Sequence, residues 1–465
     1  MKIPRPFQVE AIESIAHQNT LLNDECGLGK TIEALEGVRH FLLKHPNPTR
    51  MGPHLVICLK TARFQWYLET VSQMNGFLKV CILDTDGHFK DGELKKVPYE
   101  VSGADFPGII ITHYENILKW YPSLKDVPWL TITADEAHKI KNRNAKRSLR
   151  LKVFKAERKI AATATPMDKR PSDYWSILNW LYPKRFKSFW NFQKKYEEFA
   201  EVTRWNPYPK FIGPQDLDDL AREVGPFTFA RTKSEVAPEL PPKILQRIPL
   251  DMETQQRELY SKIATTKDIE VLLSDFEASY VGDNPDVDII IPNVLARIIR
   301  LQQVSCDPRL LDFQIPSSKL IWLDDWFKAN PEQKVVIFSK FRATAQKLAN
   351  MYKAPLIVGG VKNPTMAAAP FLLGESDKIF GTIDAMGVSL DGLQRASTAI
   401  FLDQTWSSLM MQQATDRIHR MNITEPKHII YLHNQRTVDD LVLDALDQKW
   451  TDKELVRTFV KEWQS

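Results

Sequence analysis

LTITADEAH, residues 130–138, begins as a run of apolar and β-branched residues with no charge and ends in two adjacent carboxylates, Asp135 and Glu136. Working outward, runs of the same kind recur on either side: HLVICLK (54–60), GIIITHY (108–114) and KIAATAT (159–165). A second set follows at KVVIFSK (334–340), APLIVGG (354–360), DKIFGT (377–382), TAIFLDQ (398–404) and KHIIYLH (427–433). Strands of a parallel sheet covered by helices on both faces lose polar alternation and read this way. Each run is followed by a helix-length segment, and the pattern appears twice. The sequence therefore predicts an α/β fold made of two lobes.

The first lobe is expected over 1–235 and the second over 236–465. The stretch between the two strand sets has other habits. Residues 171–230 are helical in pattern and crowded with aromatics, WSILNWLYPKRFKSFWNFQKKYEEF, before a proline-broken loop RWNPYPKFIGP (204–214). Trp180, Phe189, Trp190 and Tyr196 fall at helical spacing, which is the pattern of an insertion's own core; the alternative is a stacking surface at a nucleic-acid junction. KKYEEF (194–199) reads as a solvated helical face. A second insertion over 252–316 carries an amphipathic helix near 252–280, a flexible GDNPDVD (282–288) and a helix VLARIIRLQQV (294–304). Residues 437–463 read as a C-terminal helix.

Composition limits the classes of function. With 43% hydrophobic and 26% charged residues the chain is globular. Its net charge is only +4, so any basic surface must be local. No apolar run is long enough to span a membrane, and MKIPRPFQVEA lacks the apolar centre of a signal peptide. Cys26, Cys58, Cys81 and Cys306 are far apart and form no C-x-x-C pair, and the ten histidines do not cluster. The expectation is a soluble cytoplasmic protein in a reducing compartment, without structural zinc or disulfides. Cys26 reads as a small packing residue, with thiol sensitivity as the alternative.

DECGLGKT (24–31) ends in Gly29-Lys30-Thr31 at a loop-to-helix junction. Backbone N–H groups at a helix start attract phosphate oxygens, an ammonium at Lys30 reaches the outer phosphates, and the Thr31 hydroxyl suits Mg²⁺. Carboxylates at the carboxyl end of a parallel strand face the ligand crevice. Asp135 there suits Mg²⁺ and Glu136 suits an attacking water. QQATDRIHR (412–420) spaces Gln413, Arg417 and Arg420 for one helix face. An arginine aimed at a transferring phosphoryl group is worth about 10³–10⁵ in rate, or about 4–7 kcal/mol of barrier.

With these pieces in order, the chain resembles a superfamily 2 helicase or translocase of the Swi/Snf-type branch. RPFQVEAI (5–12) resembles the adenine-reading Q motif, DECGLGKT motif I, HLVICLKTARFQW (54–66) motif Ia and IIITHYENILK (109–119) motif Ib. DEAHKIKN (135–142) is similar to motif II, ATATP (162–166) to motif III, and FARTKSEVAPELPPK (229–243) to the segment joining the lobes. KVVIFSKF (334–341), TIDAMGVSL (382–390) and QQATDRIHRMN (412–422) resemble motifs IV, V and VI. Three positions depart from the pattern: Leu59 where proline is expected, Ala164 where glycine is common, and Ala385-Met386-Gly387 in place of a Gly-Gly pair. Residues 164–196 and 382–397 look most like the annealing-helicase, fork-remodelling subgroup. The chain is shorter than eukaryotic members and resembles minimal bacterial or bacteriophage forms.

The resemblance implies two tandem RecA-like lobes, ATP and Mg²⁺ as cofactors, and DNA (duplex, forked or branched) as partner for a monomeric motor with no assignable protein partner. It implies Lys30, Asp135, Glu136, Gln413, Arg417 and Arg420 as catalytic, with Thr31 and Asp135 holding Mg²⁺. Gln8, Gly27, Gly29, Lys30, Thr31 and Gly387 would bind ATP, and His138, Thr163 and Thr165 would couple the sites. Lys60, Thr112, Ser339 and Thr382 would touch DNA phosphates. Fork unwinding or regression and Holliday-junction migration are the leading activities. The alternatives are a duplex translocase that displaces bound proteins such as RNA polymerase, the motor subunit of a restriction-type system, or an idle scaffold.

Overall fold

The computed structural model describes residues 2–47, 51–84, 88–90, 93–95, 108–167, 170–200, 211–264, 287–361, 363–421, 423–450, 454–455 and 458–459. The chain divides into two compact units, Met1–Glu239 and Leu240–Ser465. Both are α/β, as the strand runs predict.

In the first unit the strands are β1 (Thr20–Leu22), β2 (His54–Cys58), β3 (Lys79–Leu83), β4 (His88–Lys90), β5 (Glu93–Lys95), β6 (Gly108–His113), β7 (Trp129–Asp135), β8 (Ala156–Ala162), β9 (Glu197–Phe199), β10 (Phe211–Pro214) and β11 (Thr228–Phe229). Nine form one sheet in the order β11-β1-β8-β7-β2-β6-β3-β4-β5, parallel except for the β3–β4 and β4–β5 pairs. Successive residues of β2 go to opposite faces, Leu55 and Ile57 into one apolar cluster and Val56 and Cys58 into another. Both faces are covered, which is why the run carries no polar alternation. The helices Pro6–His17 and Lys30–Leu43 lie close together through Gly37, where an added Cβ would come 2.5 Å from Ile15 Cδ1.

The insertion is only partly the helical element expected. Pro171–Leu181, Phe189–Tyr196 and Leu217–Val224 are helices, but β9 and β10 form an antiparallel pair between the second and third. The reading of KKYEEF as one solvated helical face is thereby corrected, because β9 starts at Glu197. Phe211–Pro214, the end of the proline-broken loop, is strand β10; residues 204–210 lie outside the described residues. Trp180 and Tyr196 are buried in the core as their spacing suggests, whereas Trp190 is 67% exposed.

The second unit has β12 (Lys243–Leu250), β13 (Val335–Ser339), β14 (Leu356–Ile357), β15 (Lys378–Thr382), β16 (Thr398–Phe401) and β17 (Lys427–Asn434). They form an all-parallel sheet ordered β12-β17-β16-β13-β15-β14. Of the helix expected near 252–280, Thr254–Ala264 is helical and 265–280 lies outside the described residues. The helix read at 294–304 is longer, Val287–Cys306, and includes the last two residues of the expected flexible segment. The C-terminal helix stops at Gln448 rather than running on, because Lys449 turns left-handed at φ 53°. Among the described residues no helix is long and apolar enough to cross a membrane.

Candidate functional site: the phosphate loop and its carboxylates

Three neighbouring strands of the first unit end level with one another. Leu22 of β1 pairs with Ala162 of β8, and Ala162 pairs in turn with Asp135 of β7. The loop after β1, Thr163 after β8 and the carboxylates after β7 are thus set side by side by sheet register. The Thr163 N–H donates to the Leu22 carbonyl at 3.0 Å, which locks the row.

The loop closes through two glycines in the left-handed region, Gly27 at φ 90° and Gly29 at φ 94°. Gly29 precedes the helix Lys30–Leu43, and a Cβ there would stand 2.8 Å from Gln8 Nε2. Gln8 is buried beneath the loop. Its Nε2 donates to the Leu28 carbonyl at 3.0 Å, and its Oε1 accepts from the Arg5 N–H at 2.9 Å. The amide therefore supports the loop in this structure instead of standing open to a base. Lys30 Nζ donates to the carbonyls of Asp24 (2.6 Å) and Glu25 (3.3 Å), and Thr31 lies in the first turn behind it.

Asp135 is held from two sides: Trp66 Nε1 donates to its Oδ2 at 2.8 Å, and the Tyr114 hydroxyl donates to its carbonyl at 2.6 Å. Burial and the neighbouring Glu136 charge push its carboxyl above the usual range, against the Trp66 hydrogen bond and the Lys30 charge. Glu136 sits at φ 50°, a left-handed conformation unusual for a side chain of this kind. His138 Nδ1 lies 3.1 Å from Glu136 Oε2 and 3.3 Å from Thr163 Oγ1, and the Thr165 N–H donates to that same hydroxyl at 3.3 Å. A chain of contacts thus runs from Glu136 through His138 to Thr163 and Thr165.

Arg231, to which the sequence assigned no role, is central to the loop. Its N–H, Nε and Nη2 donate to the Asp24 carboxylate at 3.0, 2.9 and 2.6 Å, Nη2 also donates to Glu33 Oε1 at 2.6 Å, and Nη1 bonds the Phe7 carbonyl. Asp24 and Glu33 are fully buried. Burial and the adjacent Asp24 raise the Glu33 carboxyl, against the Arg231 charge. Two residues on, the Lys233 N–H donates to Glu25 Oε2 at 2.8 Å. The Asp24-Glu25 opening of the loop is therefore gripped by the segment that leaves the unit. Only the excess of buried acid in the loop hinted at this, since the cation lies some two hundred positions away in sequence.

In the second unit, Gln413 is buried in the helix Ser408–Asp416, but that helix ends before the arginines. Arg417 is its C-cap and Arg420 lies beyond it, so the expected single helix face does not form. Asp391 gathers the two instead: Arg417 Nη1 is 3.5 Å from its Oδ1, and Arg420 Nη1 bonds the same oxygen. Arg417 Nε also donates to the Gly387 carbonyl at 2.6 Å, and a Cβ on Gly387 would meet Ala414 at 3.4 Å. Gly387 is thus where the helices Ile383–Ser389 and Ser408–Asp416 touch. The same segment is tied to the unit's entry, with His419 Nε2 2.7 Å from the Pro241 carbonyl and Lys243 paired with Asp416.

The four residues expected to touch DNA phosphates are not alike. Lys60 is exposed. Thr112 is buried and donates to the Leu83 carbonyl at 3.1 Å, and Ser339 is buried and donates to Asp403 Oδ2 at 2.7 Å. Thr112 is the penultimate residue of β6 and Ser339 the last of β13, and both hydroxyls are consumed inside the fold, so neither is offered outward. Thr382 pairs in register with Ser339, and its buried hydroxyl has no partner among the described residues.

Comparison with known proteins adds the ancestry. The SNF2-related domain family matches residues 10–310, and the helicase conserved C-terminal domain matches 318–422. The human SWI/SNF-related matrix-associated actin-dependent regulator of chromatin subfamily A member 1 is 26% identical over 93% of this chain and 41% of its own length. An uncharacterized ATP-dependent helicase of Mycoplasma genitalium is 25% identical over 95% of this chain and 40% of its own. The chain thus spans about two fifths of the length of the curated relatives it matches. A Sulfolobus solfataricus SWI2/SNF2 ATPase core solved with double-stranded DNA aligns at TM-score 0.44 and 22% identity, covering 100% of this chain and 95% of that one. With more than half of its length matched by one family, the chain belongs to the SNF2-related family, and a helicase C-terminal domain follows in its second unit.

Proposed function

We propose that the chain is an ATP-driven motor on DNA that remodels branched structures, by unwinding or regressing forks and migrating Holliday junctions. The observation that carries the ATPase reading is the row of strand ends that sets Lys30, Thr163 and Asp135-Glu136 side by side. The donor set fits a nucleotide phosphate with its magnesium: an ammonium held only by carbonyl oxygens, a hydroxyl at a helix start, and two adjacent carboxylates. Bound ATP with Mg²⁺ supplies the phosphoryl group and the metal's positive charge. In this reading Lys30 exchanges carbonyl oxygens for phosphate oxygens, and Asp135 and Thr31 hold the metal. Glu136 orients a water, and His138 passes its state to Thr163 and Thr165. Arg417 and Arg420 stabilise charge on the transferring group, and Asp391 sets their spacing.

The likeness of 164–196 and 382–397 to fork-remodelling enzymes of the minimal bacterial or phage kind supports the junction preference, and relatives named as ATP-dependent helicases support the motor. Lys60 contacts a phosphate, so DNA affinity is largely independent of sequence and falls with salt. The test is the steady-state ATPase rate with matched single-stranded, duplex, forked and four-way-junction DNAs. Strongest stimulation by branched DNA is expected. Equal stimulation by plain duplex would replace junction remodelling with displacement of bound proteins, and no stimulation by any DNA would overturn the motor.

A further inference from the structure

Residues 137–156 contain eight Lys or Arg and no Asp or Glu, in a chain whose net charge is +4. The run covers the loop after the carboxylates and the helix Lys146–Val153. Among the described residues none of Arg143, Lys146, Arg150 and Lys152 forms an ion pair. The nearby face of the insertion differs: Lys195 is 2.6 Å from Asp219, and Arg185 is 3.4 Å from Glu223. A merely solvated helix face mixes signs as that one does; the 137–156 run does not.

The unneutralised cations are built into an aromatic ladder. Lys152 Nζ lies 4.5 Å from the Trp175 ring, Trp175 meets Phe189 edge-on at 5.3 Å, and Phe189 meets Trp190 edge-on at 5.2 Å. The Arg143 guanidinium closes the far end, 4.1 Å from the Phe189 ring and 5.4 Å from Trp190. The Trp190 indole stands nearly perpendicular to Phe189 yet remains 67% exposed. Burial and, after it, the Arg143 charge lower the Lys152 ammonium to about 8. Two like charges so close, without a carboxylate between them, are relieved by an anion from outside.

We propose that Arg143, Lys152 and Trp190 form a binding site for an unpaired nucleic-acid strand, outside the stretches that resemble the Q motif and motifs I to VI. The cations take successive phosphates, and the indole stacks on a base. A paired base inside a duplex has its faces covered by its neighbours, so a stacking platform selects the unpaired strand, as at a fork. The choice of DNA over RNA rests on the motor reading above; the site itself does not.

The test is fluorescence anisotropy, without nucleotide, of a labelled oligothymidine of about 20 nucleotides and a matched duplex. Trp190→Ala and the double variant Arg143→Gln/Lys152→Gln are compared with the parent and with Arg222→Gln as a charge control on another helix. Each patch variant should weaken single-strand binding about tenfold and duplex binding less than about twofold. Arg222→Gln should change neither, and thermal midpoint and DNA-free ATPase should match the parent in every variant. Single-strand binding equal to the parent's in Trp190→Ala overturns the site, and equal loss on duplex overturns its selectivity. Tighter binding of oligouridine RNA than of oligothymidine overturns the choice of DNA. A parent whose ATPase no DNA stimulates, but whose single-strand binding still depends on Trp190, sinks the motor reading and leaves this site standing.

Discussion

The proposed function gives Lys30 and Glu136 different work at the phosphate loop, and each can be removed without disturbing the sheet. Lys30 Nζ contacts only loop carbonyls, and Glu136 follows the last residue of β7. Lys30→Ala and Glu136→Gln should each reduce ATP turnover to background while leaving DNA affinity within about twofold of the parent, measured by anisotropy at fixed salt. Normal hydrolysis in either variant would remove that residue from the catalytic set. Lys159 allows a test of stability. Its Nζ donates to the Trp180 carbonyl at 2.9 Å, and burial lowers its ammonium from 10.5 to about 8. Between those values the unfolded chain binds a proton that the native state does not, so this group makes stability rise with pH through that window. Its penalty is fully present below about pH 8. The gap corresponds to about 3 kcal/mol at most, and the lost hydrogen bond offsets about 1 kcal/mol of it. Lys159→Met should therefore raise stability at pH 7 by about 2 kcal/mol and flatten its rise between pH 8 and 9.5, read from urea midpoints. An unchanged slope would show that Lys159 is solvated in the native state.

At the scale of elements, the strap Arg231–Lys233 is what the phosphate loop leans on. Removing one partner of a buried ionic cluster leaves charges uncompensated, which typically costs about 3–5 kcal/mol. Arg231→Ala should lose stability of that order and weaken ATP binding, because Asp24 and Glu33 are fully buried and share this one guanidinium. Arg231→Lys should fall between, since a point charge cannot fork across two carboxylates. Thermal melts with and without ATP decide it; a melt of Arg231→Ala superimposable on the parent's would mean the acids are protonated and need no cation. Legibility from sequence also varied by element. Central strands such as β2 and β7 were readable because both faces are apolar. β1 and β11 are too short to show a period, and β12 is an edge strand with several exposed residues beside β17, so its sequence reads as loop. Lys30, Thr31 and Asp135 were legible because their motifs are contiguous. Trp66, Arg231 and Asp391 were not, because each acts on a residue that only the fold brings near. The arginines failed in a third way: their spacing suits one helix face, but the helix ends at Asp416.

For the whole molecule, charge is a matter of place rather than total. A net charge of +4 would suggest indifference to polyanions, yet one short stretch carries eight Lys or Arg and no carboxylate. The connecting segment has a similar lesson. Arg231 and Lys233 fasten it to the phosphate loop of the first unit, and Pro241 and Lys243 fasten it to His419 and Asp416, beside the arginines of the second. Mechanically this is a tie rod bolted at both ends, with few residues of slack between the bolts. A tie rod transmits load only while it is short. Inserting Gly-Ser-Gly-Ser between Glu239 and Leu240 leaves both bolts intact, so ATP affinity should stay at the parent's value while DNA-stimulated turnover falls. Stimulation undiminished by the insertion would mean the two ends work as separate anchors. If it does fall, the length of this rod is a dial by which the gearing of the proposed motor can be reset without touching a residue assigned to ATP or DNA.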